Sequence, residues 1–195
     1  MFKKAIAPAL KVFVFFTVVC GLVYTLVVTG VAQLVFPHQA NGSVIDTDEG
    51  HYSELIGQSY SDPAHLWGRP VSYSTVEVDG ETLAYAAGSN LSPASEEYAQ
   101  IVDERVARLV AANPDAQGPV PVDLVTESGS GLDPHISVAA AEWQVPRLAQ
   151  ATGRSEDEVR AIIEQCTTHK LLGLFGEDVV NVLDVNLMLD GQLSK

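Results

Sequence analysis

The sequence predicts an extracytoplasmic α+β domain behind a single N-terminal transmembrane α-helix, and three observations carry that prediction. Residues 12–36 are 25 consecutive positions without a charged side chain, rich in Val, Leu and Phe. Lys3, Lys4 and Lys11 precede this run, and no Lys or Arg follows it until Arg69. Beyond the run, helix-start signals and β-branched segments share the chain. The expected organisation is a cytoplasmic N-terminus over 1–11, a transmembrane helix over 12–36, a connection over 37–50 and the domain over 51–195.

At about 1.5 Å per residue the apolar run makes a helix of roughly 37 Å, longer than the bilayer's hydrocarbon core of roughly 30 Å. Its length also exceeds the apolar part of a cleaved signal peptide, about 7 to 15 residues. A lipoprotein signal would need a small residue before Cys20, where Val19 stands. The lysine asymmetry places the N-terminus inside and the domain outside a cell membrane. Thr17, Gly21, Thr25 and Thr29 recur every four residues, a small-residue stripe that lets helices approach closely in lipid; Thr and Gly are also simply tolerated in a span. Gln33 either bonds a neighbouring helix or reaches the headgroups.

Pro37, Asn41, Gly42, Asp46, Asp48, Glu49 and Gly50 give residues 37–50 the composition of a polar connection. Val71 to Val78 has the β-branched content of a strand. Ser92-Pro93 reads as a helix start, with Tyr98, Ile101, Val102, Val106, Leu109 and Val110 on one face and Asn113-Pro114 as the stop. A second helical region begins at Ser137 and is broken by Pro146. After Gly153, Ser155 and Glu158 have capping-box spacing for a third helix that buries Val159, Ile162, Ile163 and Cys166. Leu183, Val185, Leu187 and Leu189 alternate with the period of a strand, although Leu183 and Leu187 also suit a helix; the alternation is read as a strand.

The net charge is −14, from 11 Lys and Arg against 25 Asp and Glu, and without the three N-terminal lysines the remainder carries −17. This balance sets aside nucleic-acid binding, which needs a basic face, and the field of the acidic part attracts cations and repels anions. Cys20 falls in the span and Cys166 in a helix, so no disulfide framework is expected.

The most unusual stretch is Ser128-Gly129-Ser130-Gly131-Leu132-Asp133-Pro134-His135-Ile136-Ser137, followed by Gln144. Its glycines and hydroxyls can present backbone N–H groups to an anion or form a structural turn and helix cap, but no Gly-Lys-Ser or Gly-Lys-Thr follows. Ser130, Asp133 and His135 lie within six residues of one another, unlike a triad assembled in space, and no Gly-x-Ser-x-Gly elbow accompanies them. The histidines at 38, 51, 65, 135 and 169 show no paired metal-ligand spacing. Asp46, Asp48 and Glu49 lack the pattern of a calcium loop and read as an acidic linker. Arg69, isolated in an acidic region, is expected in an ion pair, internal or with a partner.

Five segments carry a family resemblance: Leu55-Ile56-Gly57-Gln58, Gly68-Arg69-Pro70, Ser89-Asn90-Leu91, Ser128 to Ser137 with Gln144, and Val180-Asn181-Val182-Leu183 through Asn186, Leu187, Leu189 and Asp190. In this order, behind one N-terminal span, the chain resembles the C subunit (KdpC family) of the bacterial Kdp potassium-transporting P-type ATPase; Val71 departs from a Ser common after Gly-Arg-Pro. The resemblance implies a non-catalytic subunit working with a channel-like A subunit, an ATP-hydrolysing B subunit and a small F peptide. Two roles come with it. One is assembling the complex and capping the outer side of the A subunit. The other is a catalytic chaperone that raises the ATP affinity of the B subunit, with Ser128, Gly129, Ser130, Gly131 and Gln144 as nucleotide contacts. ATP is thus a ligand proposed for the family, with no resident cofactor or metal expected, and potassium is the transported ion. The outward placement of Ser128 to Gln144 opposes direct contact with cytoplasmic ATP. A freestanding secreted enzyme would instead require cleavage after the span and turnover without partners.

Overall fold

The structure, a computed structural model, describes residues 2–48 and 50–194. The side chains of Lys3 and Lys4, which set the expected orientation, and Glu49, one of the three linker acids, lie outside the described residues. The chain forms two compact units, divided in sequence between Val44 and Ile45.

The first unit is a nearly unbroken helix. α1 (Phe2–Phe16) passes into a π-helical stretch (Thr17–Tyr24) and on into α2 (Thr25–Val35). Residues Ala5–Val35, 31 in all, are long and apolar enough to cross a bilayer, and none of that helix's apolar side chains is buried within the chain. Pro37 then begins one turn of helix, α3 (Pro37–Ala40). Gln33 and Asn41 exchange side-chain amide hydrogen bonds of 3.3 and 3.1 Å, so Gln33 is satisfied within its own unit.

The second unit mixes helix and strand, as its signals require. The expected polar connection is structured here: β1 (Val44–Thr47), with the strand formers Val44, Ile45 and Thr47, pairs with β2 (Gly50–Ser53) in a two-stranded sheet. β3 (Tyr73–Val78) pairs antiparallel with β4 (Glu81–Ala86), in register from Tyr73 opposite Ala86 to Val78 opposite Glu81. Asp79 and Gly80 join them at φ of 52° and 82°, the left-handed pair of a two-residue hairpin turn.

Ser95, not Ser92, starts α4 (Glu96–Ala112): its hydroxyl accepts from Tyr98 N, while Ser92 to Ser95 forms a preceding turn. Asn113 ends the helix as expected. Val110, assigned above to the inner face, points outward and is half exposed. A single 3-10 turn (Val122–Leu124) leads to β5 (His135–Ser137). Ser137 caps α5 (Val138–Trp143), and Pro146 enters the first turn of α6 (Val145–Thr152), where its missing N–H removes no helix bond. Gly153 closes α6 at φ 69°, and the Ser155–Glu158 capping box opens α7 (Glu156–Gln165).

β6 (Thr167–Thr168) and β7 (Val179–Asn181) complete a sheet of order β5-β7-β6, antiparallel throughout. The final alternation is a correction: Leu183 to Leu189 belong to a helix, α8 (Val182–Leu189), not a strand. Asn181 caps it through Leu183 N and Asp184 N, and the helix is buried on nearly every side. A helix without a solvated face shows no 3.6-residue period. Val145, Leu148, Val159, Val180 and Val185 are fully buried where these helices meet the sheet, each stabilising by about 1.5–3 kcal/mol.

Gly131 is the backbone crossing point. It adopts φ +75°, and a Cβ there would overlap the carbonyl oxygens of Ser72 and Ala87. Ser72 N donates to Gly131 O at 2.8 Å, which ties the root of the β3–β4 hairpin to the segment leading into β5. Gly131→Ala should therefore destabilise the protein by about 3 kcal/mol in denaturant unfolding. Gly129→Ala, where a Cβ meets nothing within 4 Å, should change it by less than about 0.5 kcal/mol.

Candidate functional site

Ser128 to Ser137 forms a braced turn. The Ser128 and Ser130 hydroxyls lie 3.1 Å apart, Gly131 N donates to Ser128 Oγ at 3.0 Å, and Leu132 N donates to Ser130 Oγ at 3.2 Å. Leu132 O accepts from Gly57 N at 2.8 Å. Asp133 accepts from His135 N at 3.0 Å and pairs with Arg69 at 3.3 Å. Arg69 also donates to Thr126 O and Glu127 O at 3.2 and 2.8 Å, so its guanidinium is held inside the domain. Ser130 bonds Ser128 and Leu132 rather than His135, while Asp133 and His135 engage each other, so no Ser-His contact of a triad is formed.

Gln144 is wholly buried. Its Nε2 donates to Trp67 O at 2.9 Å and Ala140 O at 3.2 Å, and its Oε1 accepts from Trp67 N at 2.9 Å and Arg147 Nη2 at 2.6 Å. Both hydrogens of the amide are used, and both lone pairs of its oxygen. The structure brings Ser128, Ser130 and Gly131 together, and places Gln144 elsewhere, inside the core.

Asn186 treats the neighbouring residue the same way: Leu66 N donates to Oδ1 at 2.7 Å and Nδ2 donates to Leu66 O at 3.0 Å. Each amide reproduces the pair of bonds an adjacent strand would supply. Asn181 Nδ2 reaches Glu54 O at 2.9 Å. Arg147 spans Asn113 Oδ1 at 2.8 Å, His65 O at 2.9 Å and Pro63 O, and stacks 4.6 Å from the centre of the Trp67 ring. Burial pulls its pKa down to about 10, with Asp62 opposing. Segment 54–67, which has no helix of its own, is thereby strapped to α5, α6 and α8. Sequence reasoning missed Asn181, Asn186 and Arg147; the available signal was polar residues interrupting otherwise apolar runs.

Arg105 donates to Glu127 at 2.6 Å and to Val125 O at 2.9 Å. Burial acts to raise the Glu127 carboxyl, but hydrogen bonds from Arg105 and Ser89 outweigh it and hold the pKa below the ordinary carboxylate value. In the span, Thr17 donates to Phe13 O at 2.8 Å and Thr25 to Cys20 O at 3.3 Å. Thr17 and Gly21 lie in the wider turns of the π-helical stretch, so the every-fourth-residue alignment of an α-helix holds only for Thr25 and Thr29.

Two surfaces stand uncovered. Leu171, Leu172, Leu174 and Phe175 are 68, 81, 80 and 64% exposed on a turn closed by reciprocal bonds between Leu171 and Phe175. Leu172 sits at φ 56°, a conformation rarely adopted by leucine. Lys170 to Glu177 at 3.1 Å braces the base of this turn. The β3–β4 hairpin presents Val76, Val78, Leu83 and Tyr85 on one face, all exposed.

Gln144→Ala should lower stability by about 3 kcal/mol, because two backbone groups of Trp67 are left buried without partners, and Gln144→Glu should not restore it, since a carboxylate cannot donate to the Trp67 and Ala140 carbonyls; denaturant unfolding measures both. The lowered pKa of Glu127 gives stability that is present above the ordinary carboxylate pKa and lost as pH falls through its folded value. Glu127→Gln should therefore lower the melting temperature at neutral pH and flatten the acid limb of its pH profile.

Comparison of the sequence with known proteins matches the chain to a family. Residues 6–191 fit the profile described as KdpC, the K+-transporting ATPase c chain. The potassium-transporting ATPase KdpC subunit of Clostridium botulinum (strain Eklund 17B / Type B) is 50% identical, over 98% of both chains. That of Clostridium perfringens is 49% identical over 97% of this chain and 98% of its own. That of Sorangium cellulosum is 50% identical over 94% of this chain and 96% of its own. The chain therefore belongs to the KdpC family, the c-chain subunits of the potassium-transporting ATPase.

Proposed function

We propose that this subunit is the non-catalytic part that holds a high-affinity potassium-uptake complex together, with its domain on the outer side of the membrane, capping the channel-like A subunit. The observation that carries this reading is the exposed turn at Leu171–Phe175. Four large apolar side chains within five residues stand in water, and one of them occupies a left-handed backbone conformation. Strain retained to present an apolar side chain is the mark of a surface used by a partner. The open hairpin β3–β4 agrees, since two strands alone are marginally stable in water. The uncovered span offers a third surface, in lipid, to the A, B and F subunits. Lys3, Lys4 and Lys11 before the span, against no Lys or Arg after it until Arg69, support the inward N-terminus.

The chaperone reading requires nucleotide contact at Ser128–Gly131 and Gln144, and the geometry does not favour it. Gln144 is buried with its amide fully engaged, and the serine hydroxyls brace their own turn.

Leu172→Cys in a Cys20→Ala, Cys166→Ala background tests orientation and docking together. In intact cells making this subunit alone it should label with a membrane-impermeant thiol reagent, and labelling should fall at least about tenfold when the other subunits are present. Labelling only after lysis would place the domain inside. Leu172→Asp with Leu174→Asp should lower co-purification of the other subunits by at least about tenfold while leaving the unfolding midpoint unchanged; full co-purification would refute docking at this turn.

A further inference from the structure

The domain carries few cations, and they are unevenly placed. Among its described arginines, Arg69, Arg105, Arg147, Arg154 and Arg160 each donate to a carboxylate, a side-chain oxygen or a backbone carbonyl. Arg108 is the exception. It has no hydrogen-bond or ion-pair partner among the described residues, and its guanidinium lies 5.0 Å from the centre of the Trp67 ring.

Arg108 opens onto a cleft of about 170 Å³, which it lines with Tyr60, Trp67, Arg69, Val71 and Arg105. Two of the cleft's three guanidinium charges are matched, Arg69 by Asp133 and Arg105 by Glu127. One positive charge is therefore unmatched, on a planar guanidinium that lies over the face of an indole. A guanidinium held in this way keeps its N–H edge for an acceptor, and a carboxylate is the acceptor whose two oxygens fit that fork. Charge and volume narrow the ligand. One spare cation in a domain of net −17 matches a monoanion rather than a phosphate chain. The cavity is also smaller than the roughly 300–1,000 Å³ of pockets for drug-sized ligands, yet roomy for the end of one side chain.

We propose that this cleft is a docking site for a carboxylate, presented by an Asp or Glu side chain of a partner subunit, with Arg108 as the recognising group and Tyr60, Trp67 and Val71 as its walls. The proposal rests on the assembly reading above and adds a second, polar contact to the apolar turn at Leu171–Phe175. It gives the interface a charge-dependent component within a strongly acidic domain, where an acidic partner residue would otherwise be repelled.

The test is arginine modification by phenylglyoxal, read by mass spectrometry, on the full chain in detergent and on the assembled complex. Arg108 should react in the chain alone and at least about tenfold more slowly in the complex. Retention of the other subunits should fall about threefold to tenfold for Arg108→Ala and further for Arg108→Glu, and the Arg108→Ala complex should lose part of the wild-type salt dependence. Equal reactivity of Arg108 in the free chain and in the complex overturns the site while leaving assembly intact. Protection without any loss of retention in Arg108→Glu overturns the carboxylate. Equal protection of the free chain by acetate identifies a small-molecule site and overturns the partner as its source. Failure of the unmodified chain to assemble would instead overturn the assembly reading itself, and the site with it.

Discussion

Two buried side-chain amides fix the extended segment through Leu66 and Trp67. Gln144 and Asn186 each take both the N–H and the C=O of one backbone residue. The segment has no strand neighbour, and leaving those four groups buried without partners would cost about 1–3 kcal/mol apiece. Once Trp67 is fixed, Arg147 can stack on its ring while donating to His65 O and Asn113. Arg108 lies over the same ring from the surface. The cleft beside Arg69 and the closing helix α8 both lean on this one strapped segment.

The parts of the fold legible in the sequence are those decided locally. Pro146, Gly153 and the Ser155–Glu158 pair act within a turn of their own positions, and each lies where its chemistry requires. Leu183–Leu189 was not legible, because solvent does not mark one face of a helix enclosed by its own domain. The Asn181 cap, set in an apolar run, was missed with it. Ser92-Pro93 resembled a cap more than Ser95 did, yet the hydroxyl that reaches the helix N–H belongs to Ser95. β4 was overlooked although Asp79-Gly80 announced a hairpin, since Glu81 to Ala86 lacks β-branched residues apart from Thr82.

The site was less legible than the fold for a related reason. Ser128 to Gly131 read either as an anion-binding loop or as a structural turn, and Gln144 joined them as a nucleotide contact only through the family resemblance. The serine hydroxyls brace their own turn, whereas Gln144 meets the backbone of Trp67, 77 residues away, and a sequence does not display which carbonyl a buried amide will meet. Arg69 was recognisable as a cation needing an anion, but Asp133 lies 64 residues away. The turn Leu171–Phe175 is a short apolar run that carries no sequence motif; its outward display is what distinguishes it.

The crossing at Gly131 has a mechanical consequence. The β3–β4 hairpin is exposed along its whole length and is tied at its root, where Ser72 and Ala87 close on Gly131. Such an arrangement is a cantilever. A lateral load at Asp79–Gly80 produces its greatest bending moment at Gly131, four residues before β5 and next to Leu132, which is bonded to Gly57. A glycine there adds no side chain to wedge the joint apart, so the beam's root can be as thin as two backbones in contact.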